Sequence, residues 1–343
     1  MCVYIMCPAN AYTGGPTLAH QLCHILNKHG IEAKMWYYYG MLHNYNPLKK
    51  CNGDPVHNNY KHYHNPYIVN KPDDTVNNAI VAVEVNTPIL SKFKFAKRSI
   101  WWMSVDNFFL SMDNFFVKIR KKVFKFQPTL DYCKQFKDEP KYQVFRDPDI
   151  IHFVQSEYAK KFLIDENINP KNIYELSDYI EDEVIEAHSL VDIKKKKNII
   201  LYNPKKGFEF TKKIIENNQQ YEWVALIGMN KKQIISHLLE AKLYIDFGNH
   251  PGKDRFPREA VLCGCCVITG KRGAARNDID IPISDKYKFE DSDDNLEVIS
   301  AQIRDIMEHY DLRINDFSSY IERTMLEKSE FEKRAVQLFS LLI

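Results

Sequence analysis

The stretch "GNHPGKDRFPREAVLCGCCVITG", residues 248–270, sets Lys253, Asp254, Arg255, Arg258 and Glu259 in a loop punctuated by glycine and proline. The loop opens straight into an apolar run. Cations where a helix begins can hold an anion, because the free N–H groups and the positive end of the helix dipole add to their charge. Two other stretches are built alike: "NPKKG" at 203–207 and "GKRGAAR" at 270–276, each following an apolar run. They contribute Lys206, Lys271 and Arg272, with Gly273 in the last turn, and His250 stands inside the first stretch. Such a set suits a phosphate or diphosphate. Glu259, one turn into its helix, would accept hydrogen bonds from sugar hydroxyls and so make the site selective. A lone Lys-Lys-Gly more often marks a solvated helix start. The denser mixture in "GKDRFPREA" therefore carries more of the reading.

These residues converge only if the elements around them place them together. Val3 to Cys7 is a short apolar run, as a buried parallel strand requires. "NAYTGG" is a turn carrying Gly14 and Gly15. Leu18, Leu22, Ile25 and Leu26 then predict a helix from Pro16 to Lys28, followed by a strand over Ile31 to Tyr39. Residues 40–73 read as a long irregular loop. "NAIVAVE" (78–84), "SIWWMSVD" (99–106), "IIHFVQS" (150–156) and "IYELSDYI" (173–180) read as strands, and "TPILSKFKFA" as a short helix. A second alternation begins with "NIILYN" and continues through "EWVALIG", "KLYIDFG" and "CCVITG". Two amphipathic helices follow, near 292–310 and 315–342. The pattern implies an α/β protein of two doubly wound halves. Their expected bounds are 1–182, a linker at 183–197, and 198–320, with a last helix at 321–343 packing back toward the first half. Ligands of open parallel sheets lie outside the carboxyl ends of the strands. Gly14–Gly15 and all three basic stretches fall at such ends. The glycine pair lacks GxGxxG, which disfavours a dinucleotide site.

Other classes are disfavoured. A net charge of +2 is too small for a long nucleic-acid footprint. The eight cysteines sit largely in apolar runs, which suits a reducing compartment. The Cys263–Cys266 pair has no second pair at zinc spacing, so core packing is expected of it. No basic leader precedes the first strand and no run is long enough to cross a bilayer, so a cytoplasmic protein is expected. "DPD" at 147–149 and "DID" at 278–280 do not follow a strand suited to a metal-bound nucleotide, and no metal is expected. A general base could come from Glu84, Asp106, His20 or His250. Asp106 is preferred, because "SVDN" ends an aromatic strand. Residues 108–127 mix five phenylalanines ahead of Lys125 with a run of Lys and Arg. They read either as a docking helix with a solvated edge or as an amphipathic helix resting on an anionic membrane.

In these motifs the chain resembles GT-B glycosyltransferases, in the group related to bacterial capsule and lipopolysaccharide sugar transferases. "TGGPTLAHQLCHILNKHG" resembles their N-terminal loop and helix, and "FVQSEYAKKFLIDENINPKNIYELSDYI" the last strand–helix–strand before their linker. "YNPKKGFEFTKKIIE" resembles the segment whose lysine contacts the donor diphosphate, which implies that role for Lys206. "FPREAVLCGCCVITG" resembles the donor-site helix, whose glutamate holds the nucleotide ribose; that position is Glu259. The resemblance implies two Rossmann-like domains facing a cleft, with a nucleotide-sugar donor and a glycan or lipid-linked acceptor. Donor contacts are expected from Gly14, Gly15, Lys206, His250, Lys253, Arg255, Arg258, Glu259 and Gly273. Catalysis is expected from Asp106, Lys206, Lys253 and Arg255. Two departures stand out. The first of the family's paired glutamates falls at Pro251, and Asn203 and Pro204 occupy the region where an arginine often precedes the lysine. Lys253 and Arg255 are the substitute cations. The implied activity is metal-independent glycosyl transfer in surface-polysaccharide or glycan assembly. A sugar-nucleotide epimerase on the same scaffold, or a nucleotide-sugar binder without catalysis, are the alternatives.

Overall fold

Cys2–Pro8, apolar along nearly its whole length, forms an inner strand (β1) of a seven-stranded sheet in the computed structural model, which describes residues 2–39, 53–112, 125 and 129–342. The other strands of this sheet are β2 (Ala33–Tyr38), β3 (Tyr67–Ile68), β4 (Asn78–Val83), β5 (Lys97–Trp102), β6 (Ile150–Val154) and β7 (Ile173–Glu175). Their order is β3-β2-β1-β4-β5-β6-β7, and every neighbouring pair is parallel. A parallel sheet is covered on both faces by its crossovers, so its strands are apolar throughout instead of alternating. Trp36, Trp101 and Trp102 are fully buried in this way. The first crossover, α1 (Gly14–Lys28), begins at the glycine pair, ahead of Pro16, and buries Leu18, Leu22, Ile25 and Leu26.

A second sheet holds β8 (Lys197–Tyr202), β9 (Glu222–Ala225), β10 (Ala241–Asp246), β11 (Cys266–Gly270) and β12 (Lys288–Phe289). Its order is β12-β11-β10-β8-β9, again all parallel. The chain accordingly divides into two units. One comprises the residues up to Gln155, Ala159–Asp178 and those from Glu330 onward; the other comprises Ser156–Tyr158 and Tyr179–Ser329.

Helices in the first unit include α2 (Val105–Ser111) and α3 (Leu130–Lys134), with α4 (Glu157–Asp165) following β6. In the second unit come α5 (Asp182–Ala187), α6 (Phe208–Asn217), α7 (Lys231–Glu240), α8 (Arg255–Leu262), α9 (Leu296–Glu308) and α10 (Tyr310–Arg313). The last helix, α11 (Ser318–Leu342), gives its first part to the second unit and its last part to the first. Within the first unit Phe331 stacks on Trp101, Phe339 packs on Phe153, and Glu332 pairs with Lys28 at 2.8 Å.

Cys263, Cys265 and Cys266 are free and fully buried in the second core, and burial pushes the Cys263 thiol up to about 12. They pack as small apolar residues. Lys196, the third of the four lysines at 194–197, turns inward. Its Nζ donates to the carbonyls of Leu238 (2.8 Å), Ala241 (2.9 Å) and Cys263 (2.5 Å), which satisfies acceptors at the ends of α7 and α8.

Several segments differ from the sequence reading. The strand expected over 173–180 stops at Glu175 because its partner β6 ends at Val154; Leu176 N–H makes the last bond, to Val154 O. Residues expected as a linker at 183–197 fold into the second unit as α5 and two 3₁₀ turns, with Val184 and Ala187 buried. The short helix expected at 87–96 lies earlier, at Glu84–Lys92, and is 3₁₀, with Pro88 inside it. Within 53–73, described as loop by pattern, Asn58–Tyr63 is 3₁₀ and Tyr67–Ile68 joins the sheet. Much of the Phe-rich segment 108–127 lies outside the described residues, and so does its reading as an amphipathic helix. Among the described residues no helix is long and apolar enough to cross a membrane.

Candidate functional site

β8, β10 and β11 are neighbours, so the loops that leave their carboxyl ends must meet. Two glycines let them approach to backbone contact. Gly207 has φ +60°, and a Cβ there would lie 2.2 Å from Phe247 O; Gly273 has φ +59°, and a Cβ there would lie 2.1 Å from His250 O. Only glycine accepts both the left-handed conformation and the missing space. Ala274 N–H also donates to His250 O at 2.8 Å. The three basic stretches of the sequence are thus one structure. Helices α6 and α8 both start from it, α6 capped at Gly207 and α8 at Asp254.

Inside this structure four charged or titratable groups form a chain that runs from half-buried Lys206 and Asp254 to buried His250 and Asp246. Asp254 Oδ2 lies 2.6 Å from Lys206 Nζ and 3.0 Å from His250 Nδ1. His250 Nε2 lies 3.6 Å from Asp246 Oδ1. The imidazole is completely buried, and neither ring nitrogen has an aligned hydrogen bond; it sits between two carboxylates. Burial disfavours the imidazolium, but contact with Asp254 and the charges of Asp246 and Asp254 outweigh it, and the His250 pKa is raised. Burial likewise works against the Asp254 carboxylate, yet His250 and Lys206 hold its pKa below the usual range. Asp246 is fixed by Tyr244 OH (2.8 Å) and Gly248 N–H (2.9 Å).

The remaining expected donor residues fall into two further groups. Arg258 is fully buried: it donates to Glu327 Oε2 (2.8 Å) and to the carbonyls of Lys253 and Asp254. Lys253 Nζ pairs with Glu327 Oε1 at 2.7 Å. Arg258 therefore braces the loop from below. Glu259, also buried, pairs with Lys231 at 2.8 Å, and Lys231 pairs with Glu181 at the same distance. Burial opposes the Lys231 charge, but Glu259 and Glu181 outweigh it and raise its pKa. Arg255 donates to Tyr179 O at 3.2 Å and approaches Glu181 at 3.9 Å, and its Nε is buried without a hydrogen-bond partner. Arg272 is engaged by Asp291, and Lys271 lies 3.9 Å from Asp285.

Gly14, Gly15, Asp106, Glu84 and His20 belong to the other unit. Gly14 and Gly15 open α1, and Asp106 is buried in the first turn of α2. Glu84, at the end of β4, is buried; burial pushes its pKa up to about 7, against the pull of the backbone N–H groups of Met103, Glu84 and Ser104. His20 is buried, bonds Tyr37 OH through Nε2 at 2.9 Å, and is held down to about 4 by burial and then by His62.

Asp246, Asp254, Lys231 and Glu181 were absent from the sequence-based site. Asp254 had a usable signal, since an aspartate just ahead of a helix is a common N-cap. Lys231 and Glu181 had none, because their partner is distant in sequence.

Neither a protein-family model nor a curated protein matches the sequence. Solved structures do match. HepE from Anabaena, in complex with UDP-glucose, superposes with a TM-score of 0.61 at 11% identity, over 99% of this chain and 100% of that one. Sucrose-phosphate synthase from Thermosynechococcus elongatus gives 0.62 at 11% identity over 99% and 98%. Trehalose-6-phosphate synthase OtsA gives 0.59 at 10% identity over the whole of both chains. The chain has the GT-B fold. In this GT-B chain the glycine-closed loops lie at the carboxyl ends of the second sheet, where open parallel sheets take ligands. Asp246, His250 and Asp254 each bring a potential metal-ligand atom within 4.8 Å of the others. Lys206 Nζ already provides a cation there, 2.6 Å from Asp254. The two Asp-x-Asp sequences are engaged otherwise. Asp147 pairs with Arg98 at 3.0 Å and Asp278 with Lys288 at 2.7 Å, while Asp280 accepts the N–H groups of Glu157 and Tyr158.

Proposed function

We propose that the chain is a glycosyltransferase that moves a sugar from a nucleotide-sugar donor to a hydroxyl acceptor, without a metal ion, in glycan or surface-polysaccharide assembly. The observation that carries this reading is the junction of the three loops at β8, β10 and β11 around Lys206, on a fold whose solved neighbours include one holding UDP-glucose. Lys206 and the N-terminal N–H groups of α6 and α8 would take the donor diphosphate. Charge fixed in advance near a leaving anion is commonly the largest catalytic contribution. His250 would hold Asp254 when Lys206 turns to the phosphate. Arg255, with one buried N–H unsatisfied, is the second cation available to the leaving group. Glu259 would accept the ribose hydroxyls, with Lys231 holding its carboxylate in place. Lys253 and Arg258 act by bracing the loop through Glu327. Asp106 or Glu84 would receive the acceptor proton.

The test is a panel of UDP-, GDP-, dTDP- and CMP-sugars, followed by thermal shift and slow donor hydrolysis. A donor at about 100 times its Kd adds about 2.7 kcal/mol of stability. Stabilisation with release of free sugar is expected. Recovery of an epimerised sugar nucleotide would establish the epimerase instead, and no response to any donor would overturn the reading.

A further inference from the structure

The turn between β1 and α1 carries an aromatic ring that the donor chemistry leaves unused. Tyr12 is 45% exposed, yet its ring is held in place. It stacks on His57, centroids 5.3 Å apart and planes 9° apart, and leans on Tyr60 at 5.6 Å. The support continues inward. Tyr60 OH meets Thr17 Oγ1 at 2.9 Å and donates to Thr13 O at 3.2 Å, and the Tyr60 ring stacks on buried His20 at 4.3 Å. Asn10 N–H donates to Pro55 O at 2.9 Å, which clamps the turn to the loop that bears His57. Asn59 N–H donates to His57 Nδ1 at 3.2 Å, so the neutral imidazole carries its proton on Nε2. Two residues further on, a Cβ on Gly14 would meet nothing within 4 Å. An exposed aromatic ring held by its neighbours offers a ligand a fixed area of apolar contact. It lies at the carboxyl end of β1, the same end of the sheet as Glu84 on β4 and the Asp106 turn after β5.

We propose that Tyr12, braced by His57 on one face, is the platform whose other face takes the apolar C–H face of a pyranose ring of the acceptor. This rests on the transferase reading and specifies its acceptor as a glycoside, not a simple alcohol or a protein hydroxyl. The ring needs no rearrangement to be used, and its bracing lowers the ordering cost of binding.

The experiment is saturation-transfer NMR on the full chain with methyl glucoside, galactoside and mannoside, in wild type, Tyr12→Ala and Tyr12→Phe, with the nucleotide-induced thermal shift recorded on each. At least one pyranoside should receive saturation on its ring C–H protons. Tyr12→Ala should weaken that binding about fivefold to tenfold, the size of an aromatic stacking contact, while Tyr12→Phe retains it. The nucleotide response should be equal in all three. Equal pyranoside binding by Tyr12→Ala overturns the platform. So does a wild type that answers nucleotides but no pyranoside, or saturation of UDP base protons that is lost in Tyr12→Ala. Pyranoside binding that depends on Tyr12 in a chain blind to every nucleotide sustains the platform and removes the donor reading.

Discussion

Lys206 and His250 share one carboxylate, Asp254 Oδ2, at 2.6 Å and 3.0 Å. The relationship makes the charge on the imidazole decide how free Lys206 is. With His250 protonated, two cations face Asp254 and Asp246, and the group is balanced. With His250 neutral, Lys206 is the cation left for two carboxylates and is held more tightly. An arriving diphosphate competes with Asp254 for the ammonium, so the protonated imidazole favours it.

The His250 pKa is raised in the folded chain, so its contribution to stability is fully present below the ordinary histidine value, about 6.5. It is lost as pH climbs through the raised value. Urea unfolding of wild type and His250→Asn across neutral and alkaline pH checks this. Wild type should lose stability over that window, and His250→Asn should lose less.

Glu84 gives a second titration with its own window. Its folded pKa of about 7 exceeds the unfolded one, so the neutral acid is the form that folding favours. Stability from this group is present below about 4.3, the ordinary glutamate value, and is lost as pH rises toward 7 and beyond. Glu84→Gln keeps an oxygen for Met103 N–H, which now donates to the carboxylate at 3.0 Å. The variant should fold, and its stability should fall less than that of wild type between mildly acidic and neutral pH. An identical pH slope in the two proteins would contradict the assignment.

Gly273 and Gly14 should respond oppositely to the same change. Gly273→Ala forces a Cβ to within 2.1 Å of His250 O at a φ of +59°, whereas Gly14→Ala points into open space. The first should cost more than about 2 kcal/mol and weaken nucleotide binding; the second should stay within about 0.5 kcal/mol. Thermal unfolding of both variants checks the contrast.

The sheets were legible because parallel strands buried on both faces must be continuous apolar runs, as in "CVYIMC", "IIHFV" and "LYIDF". The short strands Tyr67–Ile68 and Lys288–Phe289 were not, since two residues carry no period. The convergence of Lys206, His250 and Gly273 could be read from strand ends alone. The partners of these residues could not. Arg258 reads from sequence as one of the cations at a helix start, but its guanidinium is buried against Glu327 of α11. Lys231 was missed for the same reason: its meaning comes from Glu181 and Glu259, which only the folded chain brings to it.

The most direct test of the central claim is calorimetric titration of wild type and Lys206→Met with the nucleoside diphosphate that stabilises best in the donor panel, alongside its phosphate-free nucleoside, both in the presence of a metal chelator. If the loops at β8, β10 and β11 hold the diphosphate, wild type binds the diphosphate under chelation. Lys206→Met then weakens it by about tenfold or more, and the nucleoside binds both proteins alike. Equal diphosphate affinity in the two proteins, or binding that vanishes with the chelator, would contradict it.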